Sequence, residues 1–483
     1  MGELKTNVLY FGDNLEILRN RDYFPDECID LIYLDPPFNS KKDYNILFKE
    51  NGGVESETQI KAFTDTWRWT QTAENTYHDI VINGPLKVGK LIGALHDAIG
   101  GNDVMAYLVM MTARLIELHR VRKPTGSLYL HCDPTASHYL KLVLDQIFGA
   151  KNFQNEIVWW YHDPSGKTTN RFMRKHDTIF FYTKGKHYFD IDAVRTPYKE
   201  GTVEQGRRGT ISFGRITKTH PLGRAPEDVW EIPIINSMAR ERLGYPTQKP
   251  LALLERVIKA SSNEGDIVLD PFCGCGTAVV AAQKLNRRWL GIDITHLAIN
   301  LMRNRLKDSF GIKAEVIGEP VDLAGAKALA HEDRYQFQWW ALGLIGARPL
   351  GEKKKGADKG IDGVIHFIDE VSGKPSRVVV QVKSGHVGAN IVQQLKGVVT
   401  NEAIGVLITL EPPTRPMEVE SVDAGFYHSP IYDTDYPKIQ ILTIEDLLKG
   451  KTVDMPPQTQ TNVTFAKAQR ISKQEGEQLS MGQ

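Results

Sequence analysis

Two short runs in this chain set reactive side chains where a folded sheet would offer them to a ligand. The first is Leu31-Ile32-Tyr33-Leu34-Asp35-Pro36-Pro37-Phe38, an apolar run that meets an acid, two prolines and an aromatic ring. The second is Asp266-Ile267-Val268-Leu269-Asp270, followed by Pro271-Phe272-Cys273-Gly274-Cys275-Gly276-Thr277, with another apolar run ending at Asp293. Pro36 and Pro37 cannot continue a strand, because neither has a backbone donor and each fixes φ, so Asp35 and Phe38 are held at the strand's carboxyl end. Open α/β sheets place their ligands at that end. Glycines let the backbone approach a ligand, and an acid after the following strand suits ribose hydroxyls, so the second run reads as nucleotide-type binding. Taken alone, Asp35-Pro36 is equally a capping acid and a turn. Cys273 and Cys275 have no Cys or His partners nearby and read as small turn residues rather than zinc ligands.

The elements that must hold these residues alternate between strand and helix. A short strand at 7–10 leads through a Gly12-Asp13-Asn14 turn to a helix starting at Leu15. Residues 39–100 are polar and irregular, with Trp67 and Trp69 close together, and read as a lid or loop region. Met105, Leu108, Val109, Leu115 and Leu118 have helical spacing from about 103 to 122, and Ser127 to His131 is a second buried strand. A helix over 137–148 and strands near 156–160 and 178–183 follow; further on, Thr247-Gln248-Lys249-Pro250 introduces a helix from Leu251. The pattern predicts an α/β fold.

Between 166 and 224 the chain has 13 basic and 5 acidic residues, a local balance of +8, interleaved with Phe172, Phe180, Tyr182, Tyr188, Tyr198 and Phe213. Positive charge among stacking rings suits phosphate and base contact, although a solvated basic face would look similar. Whole-chain charge carries no such signal, with 59 basic and 59 acidic residues. At 483 residues the chain needs two or three domains. We expect 1–320 as the first, 321–334 as a linker, 335–453 as a second α/β domain and 454–483 as a disordered tail. Four cysteines are too few for a disulfide framework, and no run has the apolar length of a membrane span or a signal peptide, so a cytoplasmic protein is expected. Nothing in the sequence speaks to oligomeric state.

Asp-Pro-Pro-Phe after an apolar strand, with Asp-Pro-Phe-x-Gly-x-Gly-Thr downstream, resembles the amino-methyltransferases of DNA in their β-type, circularly permuted motif order. Gly12-Asp13-Asn14, Lys123 to Asp133 and Tyr245 to Pro250 extend the resemblance over about 7–310. It implies a Rossmann-like doubly wound sheet, S-adenosylmethionine as cofactor and double-stranded DNA as partner. By that resemblance Asp35 and the Pro36 carbonyl, with Pro37 and Phe38, hold the exocyclic amine of a flipped base, Phe38 as stacking wall. Phe272, Gly274, Gly276 and Thr277 surround the methionine part of the cofactor, and Asp270 is expected among the cofactor-binding residues. Asp293 is expected on its ribose, Asp13 near its adenine, and Thr247 and Lys249 near its carboxylate. Residues 166–235 correspond to the target-recognition region. Asp at the first motif position resembles adenine-N6 more than cytosine-N4 members, which leaves cytosine open.

The C-terminal part resembles the Mrr-type branch of the PD-(D/E)xK nucleases through Gly360-Ile361-Asp362-Gly363 and Gln381-x-Lys383. That implies a smaller restriction-endonuclease-like α/β domain, with Asp362 holding Mg²⁺ and Gln381 and Lys383 beside it. Where that branch commonly has a Glu on its first helix, this chain has Gln338, with Glu332 a turn earlier. A non-cleaving DNA-binding module is the alternative, and an RNA or protein methyltransferase a more distant one.

Overall fold

The computed structural model describes residues 4–37, 43–49, 55–64, 68–162, 168–198, 211–212, 215–216, 219–236, 238–245, 247–350, 360–369, 375–399, 403–457, 468 and 471. Phe38, Trp67, Phe213 and nearly all of the expected tail lie outside them.

A nine-stranded sheet forms the first part. Its strands are β1 (Val8–Phe11), β2 (Ile29–Leu34), β3 (Arg122–Cys132), β4 (Phe153–Trp160), β5 (His176–Thr183), β6 (Val229–Glu231), β7 (Ile267–Asp270), β8 (Arg288–Asp293) and β9 (Glu315–Ile317), in spatial order β6-β4-β5-β3-β2-β7-β8-β1-β9. Only β5 runs against its neighbours; every other adjacent pair is parallel. A parallel sheet is covered on both faces, and the side-chain alternation shows it. Ile32 and Leu34 enter one core with the helices Leu86–Ile99 and Asp103–Val121. Leu31 and Tyr33 enter the other with the helices Leu251–Ser261, Thr277–Lys284 and His296–Phe310. This is the doubly wound, Rossmann-like sheet that the motifs imply.

Residues 71–99 correct the reading of 39–100 as irregular. They form the helices Gln71–Asn83 and Leu86–Ile99. Val88 and Ile92 are buried and Leu91, Leu95 and Ile99 pack on the same core, a helical stripe overlooked among polar neighbours. Trp69 packs against Tyr77 and His96 rather than lying in a lid.

The C-terminal part is a five-stranded sheet of β10 (Arg348–Pro349), β11 (Gly363–Ile368), β12 (Pro375–Lys383), β13 (Ile404–Thr409) and β14 (Ile439–Thr443), in that order. β10, β11 and β12 are antiparallel, and β12, β13 and β14 parallel. The helices Leu323–Glu332 and Arg334–Leu344 share its core through Ala326, Phe337 and Trp340, with Leu329 and Ala330. Arg334–Leu344 also meets the helix His296–Phe310, where Asn300 Nδ2 donates to the Trp339 carbonyl at 3.0 Å.

Candidate functional site

Strands β2 and β7 are adjacent and parallel, but the chain leaves β2 for β3 on one side and β7 for β8 on the other. Their carboxyl ends therefore flank a topological switch point, where doubly wound sheets open a crevice. A cavity of about 310 Å³ lies there, within the range of small-molecule sites. Asp13, Asp35, Pro36, Pro37, Thr247, Lys249, Asp270, Phe272, Gly274, Thr277 and Asp293 line it. Eleven residues chosen from separate stretches of sequence thus meet in one place.

Gly276 is not among the lining residues. It caps the helix Thr277–Lys284 in a left-handed conformation with φ of 74°, where an added Cβ would sit 2.5 Å from Met302 Cγ. Gly274 has φ of 48°, and an added Cβ would lie 3.1 Å from the Tyr245 ring. The loop therefore needs both glycines to pass between Tyr245 and Met302. Its height is fixed by Asp293, whose Oδ2 accepts from Gly274 N at 2.9 Å and whose Oδ1 accepts from Thr295 N and Oγ1, each at 2.9 Å. Burial pushes the Asp293 carboxyl up in spite of these bonds. Burial also raises Asp270 well above the ordinary carboxylate range, with Asp35 and Asp293 adding to it, while Phe272 N donates to its Oδ1 at 3.1 Å. Cys273 Sγ faces the Ile292 carbonyl at 3.1 Å and Cys275 Sγ the Thr277 hydroxyl at 3.6 Å, and burial raises both thiols.

Lys249, expected near the cofactor's carboxylate, lines the cavity, and its partner there is Asp35. Its Nζ lies 2.5 Å from Asp35 Oδ2, and both side chains are largely covered, at 9% and 16% exposed. The segment that delivers it is clamped: Gln248 Oε1 accepts from Leu243 N at 2.9 Å, and Gln248 Nε2 donates to the Glu241 carbonyl at 2.7 Å. Thr247 sits in the left-handed region with φ of 59°, uncommon for a residue with a branched Cβ. Asp13 is also committed: both its oxygens accept from Arg114 Nη2, at 3.0 and 2.8 Å.

Sequence reasoning missed Arg114. Its Nε donates to Asn14 Oδ1 at 2.5 Å, and Asn14 Nδ2 donates to the Pro271 carbonyl at 2.7 Å, so it ties the 12–14 turn to the glycine loop. The available signal was one arginine on a helix otherwise apolar around it, flanked by Met110, Met111 and Leu115. Tyr33 was missed too. It lines the cavity, its hydroxyl lies 2.9 Å from His131 Nδ1, and His131 Nε2 lies 3.1 Å from Asp177 Oδ2. A carboxylate only accepts, so the His131 proton belongs on Nε2 and Tyr33 donates to Nδ1.

The basic segment leaves β4 at the same end of the sheet as Asp35, since β4 runs parallel to β2 in the strand pattern. Arg171, Phe172 and Arg174 there are exposed. Phe180 and Tyr182 are not surface rings, because β5 carries them into the core. In the C-terminal sheet, Asp362 Oδ2 accepts from Val382 N at 2.6 Å, which sets it beside Gln381 and Lys383. Gln381 is buried against Gly360, Lys383 is half-exposed, and Gln338 lies on the helix Arg334–Leu344. Among the described residues, no group of three or more His, Cys, Asp and Glu side chains could hold a metal ion.

Residues 29–304 match the family model described as DNA methylase. The chain belongs to the DNA methylase family. Residues 340–423 match the model described as restriction endonuclease, of the Mrr catalytic type. Among curated proteins the chain is similar to the type II methyltransferase M.HpaI of Haemophilus parainfluenzae, 36% identical over 239 residues, covering 49% of this chain and 70% of the relative. It is also similar to the DNA adenine methyltransferase YhdJ of Escherichia coli (strain K12), 28% identical over 319 residues, covering 65% and 87%. A solved structure of the PvuII DNA methyltransferase, titled cytosine-N4-specific, aligns over 62% of this chain and 86% of its own at 16% identity, with a TM-score of 0.38, too loose a likeness to bear on the target base. This DNA methylase therefore carries a restriction-endonuclease-like domain behind its methyltransferase fold. No helix among the described residues is long and apolar enough to cross a membrane.

Proposed function

We propose that this DNA methylase transfers a methyl group from S-adenosylmethionine to the exocyclic amine of a flipped base in double-stranded DNA, at adenine N6, in the cytoplasm. The observation that carries the reading is the convergence of Asp35 with the Gly274 loop and Asp293 on one cavity at the switch point. The cavity fits the cofactor: its volume lies in the range of small-molecule sites, and Asp35, the Gly274 loop and Asp293 all line it. Bound S-adenosylmethionine supplies an electrophilic methyl group. Asp35 and the Pro36 carbonyl accept the amine's two N–H bonds and draw its lone pair out of the ring towards that methyl. Catalysis is then positioning and electrostatics, with no covalent enzyme intermediate. The target amine is out of reach inside a duplex, so the base must leave the stack. Arg171, Phe172 and Arg174, exposed at the same end of the sheet, are suited to hold the DNA. Asp at the first motif position and the likeness to a DNA adenine methyltransferase favour adenine. The test is Asp35→Ala with tritiated cofactor and duplex DNA. Methyl transfer should fall by about a hundredfold or more while cofactor binding survives; equal loss of both would make Asp35 structural. Modification mapping of host DNA reads the base and the site.

For the C-terminal domain we propose Mg²⁺-dependent cleavage of unmethylated DNA, supported by the family match and by Asp362 beside Gln381 and Lys383. A non-cleaving DNA-binding module is favoured by one observation, the lack of a multi-carboxylate cluster among the described residues. Unmethylated plasmid with Mg²⁺ decides between them. Cutting that Asp362→Ala abolishes supports the nuclease, and intact DNA throughout supports the module.

A further inference from the structure

Among the described residues two cations line the cavity, Arg114 and Lys249. Arg114 is locked by Asp13, Asn14 and the Met110 carbonyl. A carboxylate-bearing ligand entering here has Lys249 as its partner, and Lys249 already holds the acid that the base needs. The two demands conflict. Methyl transfer moves positive charge onto the amine nitrogen, and an ammonium resting on Asp35 repels that charge and occupies Oδ2. A lysine can change partners without moving backbone, since its charge is a point on a flexible four-carbon stem. Its anchor stays put, because Gln248 fastens the segment to Leu243 and Glu241.

We propose that Lys249 is a handover residue: without cofactor it masks Asp35, and the amino-acid carboxylate of the cofactor draws it off, so that Asp35 is free for the base only once a methyl donor is in place. The inference rests on the reading of Asp35 as the acceptor of the target amine. Its consequence is that cofactor and flipped base bind cooperatively, because the first ligand removes the competitor of the second. It also means that Asp35 opposes cofactor binding by holding the lysine.

The test is a double-mutant cycle on the full chain, with S-adenosylhomocysteine as the probe and calorimetry as the readout, so that turnover is not required. Asp35→Asn should tighten binding by about fivefold or more, the lower end of ordinary coupling between sites. In the Lys249→Met background the same change should give less than about twofold, since no lysine remains to be released. Equal gains in both backgrounds mean that Asp35 repels the carboxylate directly, and no gain in either means that the pair does not compete with the cofactor; each overturns the proposal. If Lys249→Met does not fold, wild type and Asp35→Asn are compared with an S-adenosyl analogue lacking the carboxylate, where the gain should vanish and its persistence overturns the handover. Methyl transfer that survives Asp35→Ala fails the reading of the acceptor instead, and the binding cycle stands apart from it.

Discussion

Arg114→Met tests whether the turn at 12–14 and the glycine loop are one rigid body. The Arg114 side chain is 4% exposed and its stem is packed, which methionine largely replaces. What is lost is polar. Asn14, buried in the turn, loses the donor to its Oδ1, a cost of about 1–3 kcal/mol for an unsatisfied buried acceptor. Asp13 is a third exposed and can rehydrate, so its ion pair is discounted to about 1 kcal/mol or less. The sum, about 1–4 kcal/mol, corresponds to a fall of about 2–15 °C in the melting of a domain of this size. Function falls with it, because Asn14 is the link to the Pro271 carbonyl and hence to the loop that frames the cavity. Scanning calorimetry reads the first effect. Titration with S-adenosylhomocysteine reads the second, where a loss of about tenfold corresponds to 1.4 kcal/mol. Melting within about 2 °C of wild type, with unchanged affinity, would refute the account of Arg114 as the tie between the two loops.

Gly276→Ala should destabilise by about 2–4 kcal/mol, from the left-handed conformation and the overlap with Met302, and chemical unfolding reads it; a loss under about 1 kcal/mol would mean the loop yields. Asp270→Asn should flatten the stability profile on the alkaline side. A carboxyl raised in the folded state binds more protons folded than unfolded, so stability is lost as pH rises from its ordinary 3.8 towards the raised value, and the variant escapes that loss. Melts from pH 4 to 8 should show the variant gaining on wild type with rising pH, and a constant difference would contradict it. Tyr33→Phe removes the donor to His131 and should cost about 1–3 kcal/mol in thermal unfolding; a neutral result would mean that another group satisfies the ring.

Sheet strands, motif positions and the two-part organisation were readable because each carries a local signal: apolar runs, prolines that end a strand, glycines that permit a turn. The meeting of Asp13, Asp35, Asp270 and Asp293 was readable only through resemblance, since nothing local brings residue 13 to residue 270. Partner choice was not readable at all. Asp13 lines the cavity, but that the helix Asp103–Val121 turns Arg114 onto it had no sign in the sequence. Lys249 and Asp35 are 214 residues apart, and their contact depends on the register of β2 against β7 and on the Gln248 clamp. Of the helices over 71–99, the first is polar overall with only Ala73 and Ile80 buried, whereas the apolar stripe of Leu86–Ile99 was legible and was passed over.

Among its described lining residues the cavity gathers four carboxylates, Asp13, Asp35, Asp270 and Asp293, against two cations, Arg114 and Lys249, a formal balance of −2 (four acids less two bases). So much like charge in one crevice is tolerable because each acid is quieted differently. Asp13 is neutralised by a buried arginine, Asp35 by the lysine, and Asp293 is embraced by the Gly274 and Thr295 donors. Asp270 accepts from the Phe272 amide and is pushed towards its neutral form by burial and by its neighbours. Two of these arrangements are fixed by backbone or by a locked arginine. The Asp35–Lys249 pair alone joins a strand-end acid to a flexible cation, so it can open without unfolding anything. In the proposed handover a sulfonium would bring the positive charge that the crevice is short of, and the carboxylate on the same ligand would occupy the lysine that otherwise stays on Asp35. The charge pattern suits a ligand bearing both signs, and the acid that must be set free is the one held by the movable partner.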